Sequence, residues 1–229
     1  MIQLNYKEGF NYKSLDGNGL SNGNMPEIQD RLKKLITHDM VYVDCGAHIG
    51  TMSIPVIAAT RPQRSILVEA NPEVIGLLKE NCELNLLEQD VLIVNKAVCD
   101  RDEEIDFYVL HEKSDSSSMV RENIMKVPSI RVPGVTLDTL LKDVEGEIVM
   151  KVDIEAAELL MWKGMSKVRP KIRHIVMEWF PNGTPAGWCE ELLKLIHQSN
   201  YEILLHSGEA LKDSEIMAFG KEDLWLRSL

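Results

Sequence analysis

From residue 40 onward the chain alternates short, continuous apolar runs with stretches of helical periodicity, and this alternation constrains the fold more than any other feature. The runs fall at 40–43, 65–68, 91–94, 148–152, 172–177 and 201–205. A strand that is apolar at every position, rather than at every second one, has both faces covered. Stretches with a 3.6-residue period at 51–59, 72–85, 156–164 and 186–198 supply the cover. The pattern predicts an α/β domain built on a mostly parallel sheet flanked by helices, with 223–227 as a seventh strand beside 201–205. Asn71-Pro72-Glu73 reads as a helix start, combining a capping side chain, a preset φ and a carboxylate at the positive end of the dipole.

Two segments interrupt the alternation. Residues 104–110 read as an additional strand, and 113–129 as a polar, Ser-rich connection too long for a tight turn, of the kind that forms lids. Before residue 26, Asp16-Gly17-Asn18-Gly19 and Asn22-Gly23-Asn24 are turn chemistry rather than a packed element. Ile28, Leu32, Leu35 and Ile36 then recur at helical spacing after Pro26. The reading is an N-terminal arm and helix over 1–38, a candidate lid, followed by one domain over 39–229.

Charge and composition narrow the partners. With 25 Lys and Arg against 36 Asp and Glu, the formal charge is −11. Sequence-independent nucleic-acid affinity comes from basic residues displacing counterions, so nucleic acid is not expected as a partner. A small-molecule or sugar substrate is expected instead, and the basic run Lys163, Lys167, Arg169, Lys171 and Arg173 leaves room for an anionic one. No apolar run reaches the roughly 20 residues that cross a bilayer, and the first residues lack a signal-peptide pattern. No membrane association and a cytoplasmic location follow as expectations. Cys45, Cys82, Cys99 and Cys189 form no CxxC pair or zinc spacing and read as buried thiols. Nothing in the sequence fixes an oligomeric state.

The chemistry concentrates at the ends of the apolar runs. In Val41-Tyr42-Val43-Asp44-Cys45-Gly46-Ala47-His48-Ile49-Gly50 a strand enters a glycine-bearing loop, where small residues let a nucleotide approach the backbone. Asp44 would repel a pyrophosphate and attract the cationic ammonium of S-adenosylmethionine (SAM). His48 breaks the GxGxxG spacing of dinucleotide sites. Glu69, ending the second run, suits the two hydroxyls of a ribose. Asn95, ending the third, is either an adenine contact or a turn residue. The fourth run ends in Lys151-Val152-Asp153-Ile154-Glu155-Ala156-Ala157-Glu158 and the fifth in Glu178-Trp179. Asp153 is the leading functional residue there. Glu155 and Glu158 also read as first-turn acids of the next helix. Asp153 and Glu178 on neighbouring strands form a paired-carboxylate or divalent-cation candidate.

Taken in order, VDCGAHIGT at 43–51, VEANPE at 68–73, NKAV at 95–98, SDSSSM at 114–119, VPGVTLDTLL at 132–141, MKVDIEAAEL at 150–159 and IVMEW at 175–179 resemble the FkbM family of SAM-dependent methyltransferases. Ala156 stands where that family usually has Gly, and His48 where Asn is common. The resemblance implies a Rossmann-like class I methyltransferase fold and SAM as cofactor. It implies cofactor contacts from Asp44, Gly46, Ala47, Gly50, Glu69 and Asn71, with Asp153 near the methyl donor; His48, Ala70, Asn95 and Ala97 are further cofactor candidates at the same strand ends. It further implies O-methylation of a hydroxyl on a small molecule or sugar. Asp153 or His48 would take the hydroxyl proton, with Glu155 a further catalytic candidate. Ser117, Ser118 and Glu178 would meet the substrate. A divalent metal on Asp153 and Glu178 is the other route to the same activation. Two rival readings share the sheet: a dehydrogenase or nucleotide-sugar enzyme, and a catalytically silent SAM-fold interaction subunit.

Overall fold

The computed structural model describes residues 3–7, 9–14, 25–109, 117–120, 129–205 and 207–229. In chain order, the hairpin β1 (Gln3–Lys7) and β2 (Phe10–Ser14) precedes α1 (Pro26–Leu35), β3 (Val41–Cys45), α2 (Ser53–Thr60), β4 (Arg64–Glu69), α3 (Ile75–Leu84) and β5 (Val91–Asn95). Then come β6 (Ala97–Val98), β7 (Glu104–Tyr108), β8 (Ser129–Val135), α4 (Leu137–Leu140), β9 (Ile148–Val152), α5 (Glu158–Lys163) and β10 (Ile172–Trp179). The chain closes with α6 (Trp188–His197), β11 (Tyr201–Leu205), α7 (Asp213–Ile216) and β12 (Glu222–Ser228).

Seven strands form one sheet in the order β11-β12-β10-β9-β3-β4-β5. The run from β10 to β5 is parallel, whereas β12 is antiparallel to both neighbours. Strands β3 and β9 lie in the middle and are buried at every position. Their alternate side chains feed two cores. Val41, Val43, Cys45, Met150 and Val152 pack with Trp162 and Ile196, while Tyr42 and Val149 pack with Ile54, Ile57 and Leu32. The mostly parallel seven-stranded sheet is therefore the one predicted, and its last strand does lie beside β11. That strand also separates β11 from β10, a reversal absent from an all-parallel dinucleotide sheet.

Three local expectations change. The N-terminal arm is a packed hairpin, with Tyr12 and Ser14 buried. Asn81 and Asn85, one turn apart on α3, hold it as a strand would. Asn81 accepts from the Lys13 N–H at 2.6 Å and donates to the Lys13 carbonyl at 3.1 Å. Asn85 does the same with Asn11, at 3.0 and 2.7 Å. The turn-forming segment expected at 16–24 lies outside the described residues. Helix α3 begins at Ile75 rather than Pro72, because the Asn71 side chain first closes a turn on the Glu73 N–H at 3.0 Å. Helix α5 has six residues, since Glu155 and Ala156 adopt left-handed φ values of 53° and 76° and stop a helix from starting there. An Ala in that conformation costs about 1–2 kcal/mol, which a Gly would not.

The expected additional strand is β7, and it pairs with the unforeseen β8, which lies in a three-stranded sheet β6-β8-β7. Helix α1 is integral to the second core: Ile28, Leu32 and Ile36 are buried against the sheet. The arm and helix of 1–38 thus pack on the domain expected over 39–229. Arg31 stacks on the Trp225 ring, 4.3 Å from its centroid, and ties this helix to β12.

The basic run lies away from the carboxyl ends of the strands. Arg169 bonds the Trp162 carbonyl at 2.8 Å, Lys171 the Val144 carbonyl at 2.6 Å, and Arg173 pairs with Glu147 at 3.6 Å, all at or before the start of β10. Lys163 pairs with Glu191 at 2.8 Å. These side chains are thus engaged within the protein away from the cleft, which removes the support the run lent to an anionic substrate.

At the carboxyl edge the loops after β3 and β9 meet backbone to backbone. Gly46 has φ +88°, and a Cβ there would lie 1.8 Å from the Asp153 carbonyl oxygen. Gly46→Ala is expected to destabilise the fold by about 2 kcal/mol or more through displacement of one loop, measured by urea unfolding.

Candidate active site

The carboxyl ends of β3, β4 and β9, with the segments after β5 and at 117–119, enclose a cleft of about 990 Å³, part of it open to solvent. Its floor is the Gly46–Ala47–His48 loop, one wall is Glu69 and Ala70, and the opposite wall is Lys151, Asp153, Ile154 and Glu155. Lys96, Ala97, Phe107, Ser117 and Met119 line a further side, and Met25 and Ile28 of the α1 region close over it.

Glu69 holds the floor to its wall. Its two carboxylate oxygens accept from the His48 N–H at 2.8 Å and the Asn71 N–H at 2.7 Å. Burial raises its pKa, opposed by those two amides. Each oxygen keeps a further lone pair for a ligand hydroxyl. His48 takes a left-handed φ of 49° to present that amide.

Several predicted residues sit behind the lining rather than in it. Asp44 is fully buried, accepts from the Ser53 hydroxyl and pairs with Lys151 at 3.5 Å. Gly50 packs against Ile54 and Leu78, where a Cβ would come within 2.9 Å of Ile54. Asn95 donates to the carbonyls of Glu69 and Ala70 at 2.9 and 3.1 Å, which is the turn role. Asn71 caps the α3 turn. Ser118 is fully buried; its hydroxyl donates to the Glu155 carbonyl at 2.5 Å and accepts from the Val120 N–H, so it pins the Ser-rich segment to the β9 loop. Ser117 does line the cleft, whereas 114–116 lie outside the described residues.

One carboxylate oxygen from each of Asp153, Glu155 and Glu178 lies within 4.8 Å of the other two. Glu178 already has a cation, the Lys221 ammonium at 2.6 Å. Two residues of the site were not singled out as site residues in the sequence, although Lys151 stands in the strand-end cluster of the fourth run. Asp223 reaches the cleft because β12 inserts beside β10, opposite Glu178 in register. Lys151 lines the cleft and touches both Asp44 and, at 3.4 Å, Asp153.

Crowding of acids shows in their ionisation. Burial, reinforced by Glu178 and Asp153, pushes Glu158 up to about 8. Burial and Asp153 push Glu178 up to about 7, and the same two causes push Asp223 up to about 6. Burial pulls Lys151 down, but Asp44 and Asp153 outweigh it and keep the ammonium charged.

A model of the TRM5/TYW2 methyltransferase domain matches residues 19–127, which carry β3, β4, β5 and most of the cleft floor. No curated protein matches the chain in sequence. Among solved structures, TYW2 of P. horikoshii in complex with MeSAdo superposes with a TM-score of 0.50 at 17% identity, over 98% of this chain and 69% of that one. TYW2 of M. jannaschii in complex with AdoMet gives 0.49 at 16%, over 100% and 87%. A complex of aTrm5 with tRNALeu gives 0.49 at 14%, over 100% and 53%.

Sheet order, cleft and matched domain together define a class I SAM-dependent methyltransferase with a Rossmann-like fold and SAM as its cofactor. The match is to the TRM5/TYW2 domain, and it corrects the FkbM resemblance. Ordered motifs at the strand ends follow from the shared cofactor fold, so they do not separate families within it. The O-methyl reading on a small molecule or sugar loses its basis with that resemblance. The exclusion of nucleic acid is corrected as well, since it stood on net charge alone and the matched domain is the TRM5/TYW2 methyltransferase domain. Net charge sums over the whole chain and does not show how basic and acidic side chains are distributed over its surface. No helix among the described residues is long and apolar enough to cross a membrane.

The ionisation pattern sets a pH dependence. Carboxyls raised in the folded state bind protons there that the unfolded chain has released, so stability falls with rising pH between the two values. The contribution of Glu158 and Glu178 is present in full below about pH 4.5 and is lost as pH rises through about 7 and 8. The melting temperature of the ligand-free protein is expected to fall between about pH 5 and pH 8, and Glu158→Gln to flatten that fall.

Proposed function

We propose that this chain binds SAM across the carboxyl ends of β4, β3 and β9 and directs its methyl group to a nucleotide of RNA. The observation that carries the donor site is Glu69, buried at the cleft wall with a carboxylate braced by two backbone amides from the flanking loops. The ribose hydroxyls would donate to it. Ala47, His48, Ala70 and Ala97 would face the nucleoside, and Asp153 the methionine end. Asp44, Gly50, Asn71 and Asn95 would support those contacts from behind. Support for an RNA acceptor comes from the TRM5/TYW2 domain match and the reopening of nucleic acid as a partner.

Bound SAM supplies an electrophilic methyl group on a sulfonium. The protein's share is orientation, exclusion of water and removal of a proton from the acceptor. Orientation alone is worth up to roughly 7–11 kcal/mol in well-placed reactions. Asp153 is our candidate for the proton acceptor: its side chain is about one-third exposed into the cleft and held by Lys151. Glu155 and His48 are the other two candidates within the lining. Met25, Ile28, Phe107 and Met119 offer apolar faces to a base.

Incubation with methyl-tritiated SAM and total RNA tests the reading. We expect label in RNA that nuclease releases and protease does not, with Asp153→Asn reducing the rate roughly 10²- to 10⁴-fold. Unlabelled RNA, from protein that still binds S-adenosylhomocysteine, would remove RNA as acceptor.

A further inference from the structure

Asp44 and Lys151 face each other across neighbouring parallel strands, so their side chains leave the sheet side by side. The Lys151 ammonium lies 3.5 Å from Asp44 Oδ1 and 3.4 Å from Asp153 Oδ2. Asp44 is fully buried and Lys151 is 7% exposed. Among the described residues Asp44 Oδ1 accepts no hydrogen bond, so the ion pair is what compensates it. Lys151 and Asp153 are in the cleft lining and Asp44 is beneath it. Two carboxylates and one ammonium leave a single negative charge under the methionine end of the donor site.

The donor and the product of methyl transfer differ there by one charge. SAM carries a sulfonium, and S-adenosylhomocysteine a neutral thioether. A fixed ammonium beneath the cleft subtracts from the attraction for the first and leaves the second untouched. Without it, two carboxylates would hold the sulfonium in the ground state more strongly than in the transition state, where its charge is dispersing, and so would slow the reaction. We propose that Lys151 is a specificity-determining residue: by offsetting Asp44 and Asp153 it sets how strongly the site prefers charged donor over neutral product. The inference rests on the donor site described above and is independent of the acceptor.

Calorimetry of both ligands with three proteins tests it: the wild type, Asp44→Asn, and Asp44→Asn with Lys151→Met. Removing Asp44 together with Lys151 leaves no buried charge unpaired, which lets the double variant fold. If Asp44→Asn itself does not fold, Asp44→Val takes its place in both proteins. Asp44→Asn is expected to lower the ratio of the S-adenosylhomocysteine Kd to the SAM Kd at least tenfold, the factor expected for one charge about 12 Å from the sulfonium at an effective dielectric of about 20. Adding Lys151→Met is expected to bring the ratio back toward the wild-type value, and Lys151→Arg in the wild type to leave it unchanged. A purely structural role for Lys151 would weaken both ligands alike. Equal ratios in the single and double variants would overturn the inference. Failure of the wild type to bind either ligand would instead overturn the donor site.

Discussion

The central strands of this sheet bring two acids to the same end, and the arrangement depends on the lysine between them. Asp44 is sealed beneath the cleft and Asp153 is exposed to it, with Lys151 in contact with both. Burial of Asp44 without that ammonium would force it to give up its charge or the fold to open. The same contact steadies Asp153, which the close approach of Gly46 has already fixed in place. One ion pair therefore links the middle of the sheet to the edge where the chemistry is expected.

Around it, the site is assembled by loops that hold one another. Glu69 joins the β3 and β4 loops through two backbone amides, Asn95 joins the β4 loop to the end of β5, and Ser118 joins the Ser-rich segment to the β9 loop. Much of the polar chemistry at this edge is thus committed to bracing. That explains why Asn95 and Ser118, attractive as ligand contacts from their position in the chain, are occupied within the protein. It also narrows the ligand-facing polar side chains to a few, chiefly Glu69, Asp153, Glu155, Ser117 and Asp223.

The sheet was legible because its strands are buried on both faces, and such runs stand out in a sequence without any knowledge of partners. The strand-end acids were legible for the same reason, since each follows directly on its run. The hairpin was not, because it is held by two asparagines some seventy residues away rather than by its own hydrophobic pattern. Asp223 was missed as a site residue because its place in the cleft comes from the antiparallel insertion of β12. The family was the hardest to read: strand-end motifs report the cofactor they bind, and methyltransferases with different acceptors share that cofactor. The basic run from 163 to 173 takes no part in the site: Arg169 and Lys171 bond carbonyls and Lys163 and Arg173 pair with acids, away from the cleft.

The central claim is that the β3, β4 and β9 loops form one donor site organised by Glu69. A crystal structure of the protein with S-adenosylhomocysteine tests it most directly. The ribose hydroxyls are expected on the Glu69 carboxylate, the adenine beside Ala97 and the thioether toward Asp153. A ligand seated elsewhere, or with its ribose away from Glu69, would contradict it.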